Sequence, residues 1–352
     1  MRLQEIITGL TEKREDVVTM KSWPVMLTKP IGLLLSALCF LCPYIMTLWA
    51  LHAPALPAAA EQSKGGDRIH FLKTGSSDAI LLESDGHFAM VDAGEDSDNP
   101  RGFAGLELTG YEQEVLAYLK EHASGENGKV HLDFVLGTHA HSDHIGGFDT
   151  ILLDPDVTVD RAYLKTYDSS RIKENEIEQW DNQEVYDQMV AALHARNVPI
   201  VSEPDGTPFR LGNFTVTLFN TDDPENAERV GENDNSLGVR LEKNGTSVFL
   251  AGDMDDLTGD ETRLADAIGK VDLLKVGHHS YSGSSTKKFI KTLHPSICVI
   301  TNNKESVDWK TIARLIRYTQ SKNIYVTGLE NGVLADVGDH GEITCYGQIV
   351  SY

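Results

Sequence analysis

Between Pro30 and Ala60 the chain carries no lysine, arginine, aspartate or glutamate. A segment so bare of charge is foreign to the surface of a globular domain, and its Ile31–Leu51 part is long enough to cross a bilayer as a helix. Pro43 interrupts it and no polar stripe runs along it, which argues against a buried amphipathic helix. Arg2, Lys13, Arg14, Lys21 and Lys29 all precede the run, and the next basic residue is Lys64. The positive-inside bias therefore leaves the N-terminus in the cytoplasm and everything after the run outside. Ala58-Ala59-Ala60 is a small-residue pattern that a signal peptidase could cut, although the long leader favours an anchor. The expected organisation is a cytoplasmic leader over 1–30, a transmembrane helix or signal segment over 31–51, a linker over 52–67 and a globular domain over 68–352. The domain is then held on the membrane by a single pass, or secreted if the chain is cut after Ala60.

Cysteine is scarce as well, with four in all. Cys39 and Cys42 lie inside the apolar run and read as small hydrophobes. Cys298 and Cys345 lie in strand-like stretches of the exported part, where a bridge would need the two strands to be neighbours. Basic residues are also few, 31 against 53 acidic, and without the 5 and 4 that precede Glu61 the exported part has 26 against 49, a charge of −23. So acidic a body repels polyanions and counts against tight nucleic-acid binding. Lys165, Arg171 and Lys173 are the residues from which a local basic surface could be built, beside Glu174 and Glu176. No repeat or low-complexity tract is present.

What remains is a regular pattern. Ile69–Leu72, Ala79–Leu82 and Phe88–Val91 are short apolar stretches punctuated by Gly75-Ser76-Ser77 and Asp85-Gly86, which predicts a meander of strands. Tyr111, Val115, Leu116 and Leu119 recur at helical spacing, and Leu132–Leu136 predicts a buried strand. A polar stretch over Asp154–Arg196, with a strand over Val157–Lys165 and a helix over Gln183–Ala195, reads as an insertion covering one side of a site. Strands return at Phe214–Leu218, Leu237–Leu241 and Ser247–Ala251, and beyond Val271 they alternate with helices near Lys287–Leu293 and Trp309–Gln320. Meandering strands followed by strand and helix alternation suit two packed sheets with helices outside, an αββα sandwich.

The loop after Leu136 reads Thr138-His139-Ala140-His141-Ser142-Asp143-His144-Ile145-Gly146-Gly147. His139 and His141, one residue apart in extended chain, point to one side, while Asp143 and His144 turn into the next helix and present a second pair. Imidazole and carboxylate suit Zn²⁺, with Mn²⁺ or Fe as alternatives, and two adjacent ions could share a hydroxide made nucleophilic near neutral pH. His278-His279 follows another strand far downstream.

The THAHSDHIGG run resembles the signature of the metallo-β-lactamase superfamily. Phe71–Ile80 with Val91-Asp92-Ala93-Gly94, Phe249-Leu250-Ala251-Gly252-Asp253 and Leu274-Lys275-Val276-Gly277-His278-His279-Ser280 are similar to the branch found in competence DNA-uptake proteins of the ComEC type. The resemblance covers about Ile69 to Tyr346. It implies metal ligation by His139, His141, Asp143, His144, Asp253 and His278, with Asp253 bridging two divalent ions. It also implies catalytic roles for Asp143 and Asp253 in orienting the nucleophile, and an outer or substrate contact for His279. No histidine stands before Asp253 where the superfamily often supplies a third to the first metal; Asn233-Asp234-Asn235-Ser236 occupies the place, so that site is expected to bind more weakly. Asn235, Ser236 and Asn303 are candidate substrate contacts. Ser280 stands where the branch has glycine, and the His-Pro that often follows the Thr301-Asn302-Asn303 segment is missing.

The expected activity is hydrolysis of a phosphoester, foremost a phosphodiester, on a small molecule or at the cell surface. Two other activities within the fold stay open. One is lactone opening, and the other is release of phosphorylcholine, for which Tyr163, Tyr167, Trp180 and Tyr281 could furnish an aromatic cage. A non-catalytic metal-binding surface module is the reading from a different class.

Overall fold

The computed structural model describes residues 55–59, 66–96, 102–103, 106–107, 109–222, 231–319 and 323–352. Two mixed sheets carry the fold. The first has eight strands in the order Ile200–Val201, Ala162–Leu164, Phe134–Gly137, His87–Ala93, Ala79–Ser84, Asp67–Phe71, Val333–Val337, Ile343–Gly347. The second has seven, Phe209–Leu211, Phe214–Phe219, Gly238–Lys243, Thr246–Leu250, Leu273–Lys275, Ile297–Ile300 and Asn323–Val326.

Asp67–Ala93 is an antiparallel meander. Its second turn is Asp85-Gly86 at φ 50° and 81°, the left-handed pair that a two-residue hairpin of type I′ requires. Alternation along Ala79–Ser84 then sorts the side chains. Ile80 and Leu82 pack between the sheets against Leu241, Val248 and Leu250, while Leu81 faces the helical layer of Val115, Leu119, Ile151 and Met189. On the far side, Phe249 and Leu274 are covered by Leu264, Ile268 and Phe289, and Cys298 and Ile300 by Ile312 and Leu315. The inner strands of each sheet are thus covered on both faces, which is why they read as continuous apolar runs, each buried leucine being worth about 1.5–3 kcal/mol. The parallel strands end together at the edge where the His-bearing loops leave, and this places the site.

Some elements depart from the sequence reading. Val157–Lys165 is two strands. Val157–Val159 pairs with Val130–Leu132, whereas Ala162–Leu164 joins the first sheet in parallel beside Phe134–Gly137. Its three residues are buried, so part of the polar 154–196 stretch belongs to the framework rather than to an insertion. Leu132–Leu136 likewise breaks at Asp133, whose N–H goes to the Phe88 carbonyl at 2.8 Å. Cys298 and Cys345 are free and buried in different sheets, with burial pushing each thiol up to about 12. The Ile31–Leu51 segment and the leader lie outside the described residues; among those described, no helix is long and apolar enough to cross a membrane. Residues at and just before the small-residue pattern do touch the domain, since Gly347 N–H bonds the Pro57 carbonyl at 2.9 Å and Ala59 N–H the Gly347 carbonyl at 3.1 Å.

One buried carboxyl gives the fold a pH dependence away from the site. Glu261 in the Asp260–Ile268 helix accepts the N–H groups of Ser285 and Thr286 at 2.5 and 2.7 Å, yet burial pushes its pKa up to about 7. The folded state then holds a proton that the unfolded chain releases near pH 4.5, so this stabilising contribution is complete below about 4.5 and is lost as pH rises through about 7. Chemical denaturation of wild type and Glu261→Gln across pH 4–8 should show a fall in stability on the order of 1–3 kcal/mol over that range in wild type that the variant flattens. Equal slopes would assign the pH dependence elsewhere.

Candidate metal centre

The His139 to His144 loop leaves the Phe134–Gly137 strand and turns into a short helix, Ser142–Ile145, with His141 extended at φ −100° just before it. The turn lies tight against the first sheet. A Cβ on Gly147 would stand 2.5 Å from the Ala93 carbonyl oxygen, and one on Gly146 2.5 Å from Asp96 N, so only glycine lets the helix approach. Asp92, itself left-handed at φ 57° and fully buried, braces the loop. Its carboxylate accepts Thr138 N–H and Thr138 Oγ1–H, both at 2.8 Å, and His144 Nδ1 at 2.7 Å.

That bond turns His144 Nε2 inward. It lies 3.2 Å from Asp253 Oδ1 and 3.2 Å from His279 Nε2. His279 Nδ1 lies 3.0 Å from the Thr301 carbonyl oxygen, so its Nε2 is likewise free to face in, 3.3 Å from Asp253 Oδ1 and 3.3 Å from Asp143 Oδ2. One ligand atom from each of Asp143, His144, Asp253 and His279 lies within 4.8 Å of the others. Asp253 Oδ1 is buried among them and accepts no aligned hydrogen bond. A buried carboxylate oxygen at the focus of two imidazole nitrogens and a second carboxylate is a donor set that fits a divalent cation.

The electrostatics agree. Burial alone would lower the pKa of His144, yet Asp253, Asp92 and Asp143 hold it well above its ordinary value. His279, opposed by burial but facing Asp253 and Asp143, is raised to about 9. Asp253, despite its burial, is held well below the carboxylate range by His144, His279 and His278. The carboxylates thus favour positive charge at the place that a bound metal's charge would take.

His139 and His141 form a second face. His139 Nε2 lies 3.0 Å from His141 Nδ1, and burial with two neighbouring imidazoles lowers the His139 pKa well below its ordinary value. His139 Nδ1 meets Thr138 Oγ1 at 3.0 Å and Ser236 Oγ at 3.3 Å, while His141 Nε2 meets Glu176 Oε1 at 3.2 Å. Glu176 is held below the carboxylate range, against its burial, by His141, the Glu232 N–H and Asn182.

The adjacent histidines part company. Resemblance alone assigns His278 to the second metal and His279 to an outer or substrate contact, whereas His279 lies inside the group and His278 at its rim. The His278 side chain is 26% exposed, with Nε2 3.9 Å from Asp253 Oδ2. The divergence comes from three successive left-handed residues, His278, His279 and Ser280 at φ 49°, 46° and 76°, a sharp turn that separates neighbouring side chains. Ser280 adopts a conformation suited to the glycine it replaces, while its Oγ accepts Asp308 N–H at 3.1 Å.

Of the candidate substrate contacts, Asn235 and Ser236 lie behind the first pair of histidines. Asn235 Nδ2–H goes to Glu232 Oε1 at 3.0 Å, and Ser236 Oγ accepts Asp253 N–H at 3.2 Å. Asn303 is exposed, and it is buried Asn302 that donates to the His279 carbonyl at 2.8 Å. The aromatic quartet does not form a cage. Tyr163 is buried against Phe134 and Phe209, Tyr167 packs in the core beside Tyr186, and only Trp180 and Tyr281 border the histidines. Lys165 Nζ–H is committed to the Asn220 carbonyl at 3.0 Å.

Several supporting residues escaped the sequence reading. Lys275 is fully buried, paired with Asp78 and 3.7 Å from Asp253, and its Nζ–H reaches the Gly252 carbonyl at 2.9 Å. Those carboxylates outweigh burial and keep its pKa raised, so it stays charged. A lone lysine inside the apolar Leu273–Val276 stretch was the available signal, since a buried ammonium must be paired. Asp92 stood in a quoted motif without a role. Glu176 gave no signal.

The chain matches the beta-lactamase superfamily domain over residues 90–294, more than half of its length. It is 27% identical over 179 residues to ComE operon protein 3 of Bacillus subtilis (strain 168), a match covering 51% of this chain and 21% of that protein. It is 24% identical over 274 residues to Recombination protein 2 of Haemophilus influenzae, covering 76% and 29%. The chain thus spans less than a third of the length of these curated relatives. Among solved structures it is similar to CmlA, a diiron beta-hydroxylase from Streptomyces venezuelae, at TM-score 0.42 and 14% identity over 76% of this chain and 54% of that one. It is also similar to Zn²⁺-bound PqqB from Methylobacterium extorquens, at TM-score 0.34 and 13% identity over 71% and 84%. The sequence match, rather than these superpositions, carries the assignment.

Proposed function

We propose that this chain, which belongs to the metallo-β-lactamase superfamily, is a phosphodiesterase with two metal positions that share Asp253. The observation that carries the proposal is the two-sided placement of that carboxylate, with Oδ1 beside His144 Nε2 and His279 Nε2 and Oδ2 toward His278. Asp143, His144, Asp253 and His279 would hold one metal. His139 and His141, with Asp253, would hold the other, and His278 stands at the rim. When bound, Zn²⁺ supplies Lewis acidity toward a phosphoryl oxygen and lowers the pKa of water toward neutrality.

The chain's own residues set the geometry. Asp92 fixes the His144 tautomer, and the Thr301 carbonyl does the same for His279. Thr138 and Ser236 hold His139. A diester is favoured over other esters by the similarity to a protein named for recombination, a nucleic-acid process, and by a donor set able to gather two cations against one phosphoryl group. The −23 charge of the chain from Glu61 onward favours a small or short substrate over long polyanions. We place the domain outside the cell on an uncleaved anchor, a reading supported by the bonds of Pro57 and Ala59 to Gly347. The N-terminal sequence of the membrane-fraction protein checks it, a start at Glu61 being the contrary result.

For the activity, Zn²⁺-loaded and Mn²⁺-loaded full chain is assayed on bis(p-nitrophenyl) phosphate, p-nitrophenyl phosphate, a homoserine lactone and a thioester. Diester cleavage at a rate well above the others is expected. Lactone or thioester opening with the diester untouched would reassign the substrate class, and stoichiometric metal with no ester cut would leave the non-catalytic module as the function.

A further inference from the structure

His141 is held from outside the two sheets. Its Nδ1 faces His139, and its Nε2 faces Glu176 Oε1 at 3.2 Å. The same oxygen accepts Glu232 N–H at 2.8 Å and Asn182 Nδ2–H at 3.1 Å. Trp180, just past the Glu174–Gln179 helix, stacks on the His141 ring at 5.4 Å and 25°. Gly231 presses on the carboxylate from the other side, where a Cβ would come within 2.1 Å of Glu176 Oε2. Glu176 and His141 are 12% and 10% exposed, so this is no solvated surface pair.

We propose that Glu176 is a positioning residue for His141, and that the 174–182 segment thereby completes the first metal position. The inference rests on the reading of His141 as a ligand there. A ligating imidazole offers one nitrogen to the metal and donates from the other; a carboxylate on the second nitrogen fixes the tautomer and ring orientation and makes the first more basic. Asp92 does this for His144, and hydroxyls do it for His139. Glu176 does it for His141. Because its oxygen also takes the Glu232 N–H, the same contact ties down the 231–236 loop, which fills the place of the missing histidine. A site short of one imidazole is compensated by restraint on those it has.

The test measures Zn²⁺ affinity of the full chain by competition with a chromophoric chelator, for wild type, Glu176→Gln, Glu176→Asp and His141→Ala, each with its metal-free thermal midpoint. Glu176→Gln should weaken the weaker of two binding steps by about 10–100-fold and leave the tighter step within about twofold, with the midpoint unchanged and Glu176→Asp partly restoring affinity. Co²⁺ titration should quench emission in wild type through Trp180, and Trp180→Phe should lack that quench. Unchanged affinities in Glu176→Gln, when His141→Ala has lost one equivalent, would overturn the role of Glu176 alone. Equal weakening of both steps with a lowered midpoint would show a merely structural residue and overturn it too. Two equivalents retained in His141→Ala would instead remove the reading on which the inference stands.

Discussion

Replacing Asp253 by asparagine should lower phosphodiester turnover by about 10³-fold and leave at most one tightly bound metal per chain, while the protein remains folded. The size follows from what the carboxylate touches. Its Oδ1 lies 3.2 Å from His144 Nε2 and 3.3 Å from His279 Nε2, and its Oδ2 lies 3.9 Å from His278 Nε2. An amide keeps the shape but gives up the charge and one of the two acceptor oxygens. Losing one cation from such a centre removes several kcal/mol of charge stabilisation in the transition state, and about 1.4 kcal/mol is a factor of ten in rate. The fold does not depend on the carboxylate in the same degree, because the backbone N–H of Asp253 and its strand are held by Ser236 Oγ and the Thr246–Leu250 ladder. Metal content and circular dichroism, taken on the assayed sample, separate loss of metal from loss of structure. A decrease of less than tenfold with both metals retained would mean that Asp253 is not shared.

The largest effect on stability is expected at Lys275. Its ammonium is fully buried, pairs with Asp78 and lies 3.7 Å from Asp253. Asp78 is itself buried, with Thr301 Oγ1–H on its other oxygen, and forms a tight group with Asp92 and His144. Lys275→Met fills the volume but removes the ammonium paired with Asp78 and leaves that carboxylate only the more distant imidazoles of His279 at 3.5 Å and His144 at 3.8 Å, which costs about 3–5 kcal/mol. At roughly 2–4 °C per kcal/mol for a domain of this size, the metal-free midpoint should drop by about 10 °C. The double variant Lys275→Met with Asp78→Asn should recover much of the loss, because the uncompensated charge rather than the missing contact dominates. Additive losses in the double variant would show that the pair is not the source.

The histidine cluster was legible because three imidazoles and a carboxylate within six residues of one loop have no ordinary structural use. The inner strands were legible because both their faces are covered, so they carry unbroken apolar runs such as Leu273-Leu274 and Phe249-Leu250-Ala251. The choice between His278 and His279 was not, because sequence adjacency carries no angle and the left-handed turn that separates them is unusual without glycine. The split of Val157–Lys165 was hidden for a similar reason, since the break at Asp160-Arg161 leaves the apolar pattern nearly intact. Glu176 sits in a helix that reads as solvated charge, and only its three-way contact with His141, Glu232 and Asn182 distinguishes it from Glu174.

The shared-carboxylate centre is tested most directly by diffraction from zinc-soaked crystals of the full chain, recorded on both sides of the zinc absorption edge. Two anomalous peaks about 3.5–4 Å apart are expected, one beside Asp143, His144 and His279, the other beside His139 and His141, with Asp253 between them. A single peak, or two peaks of which neither touches Asp253, would contradict it.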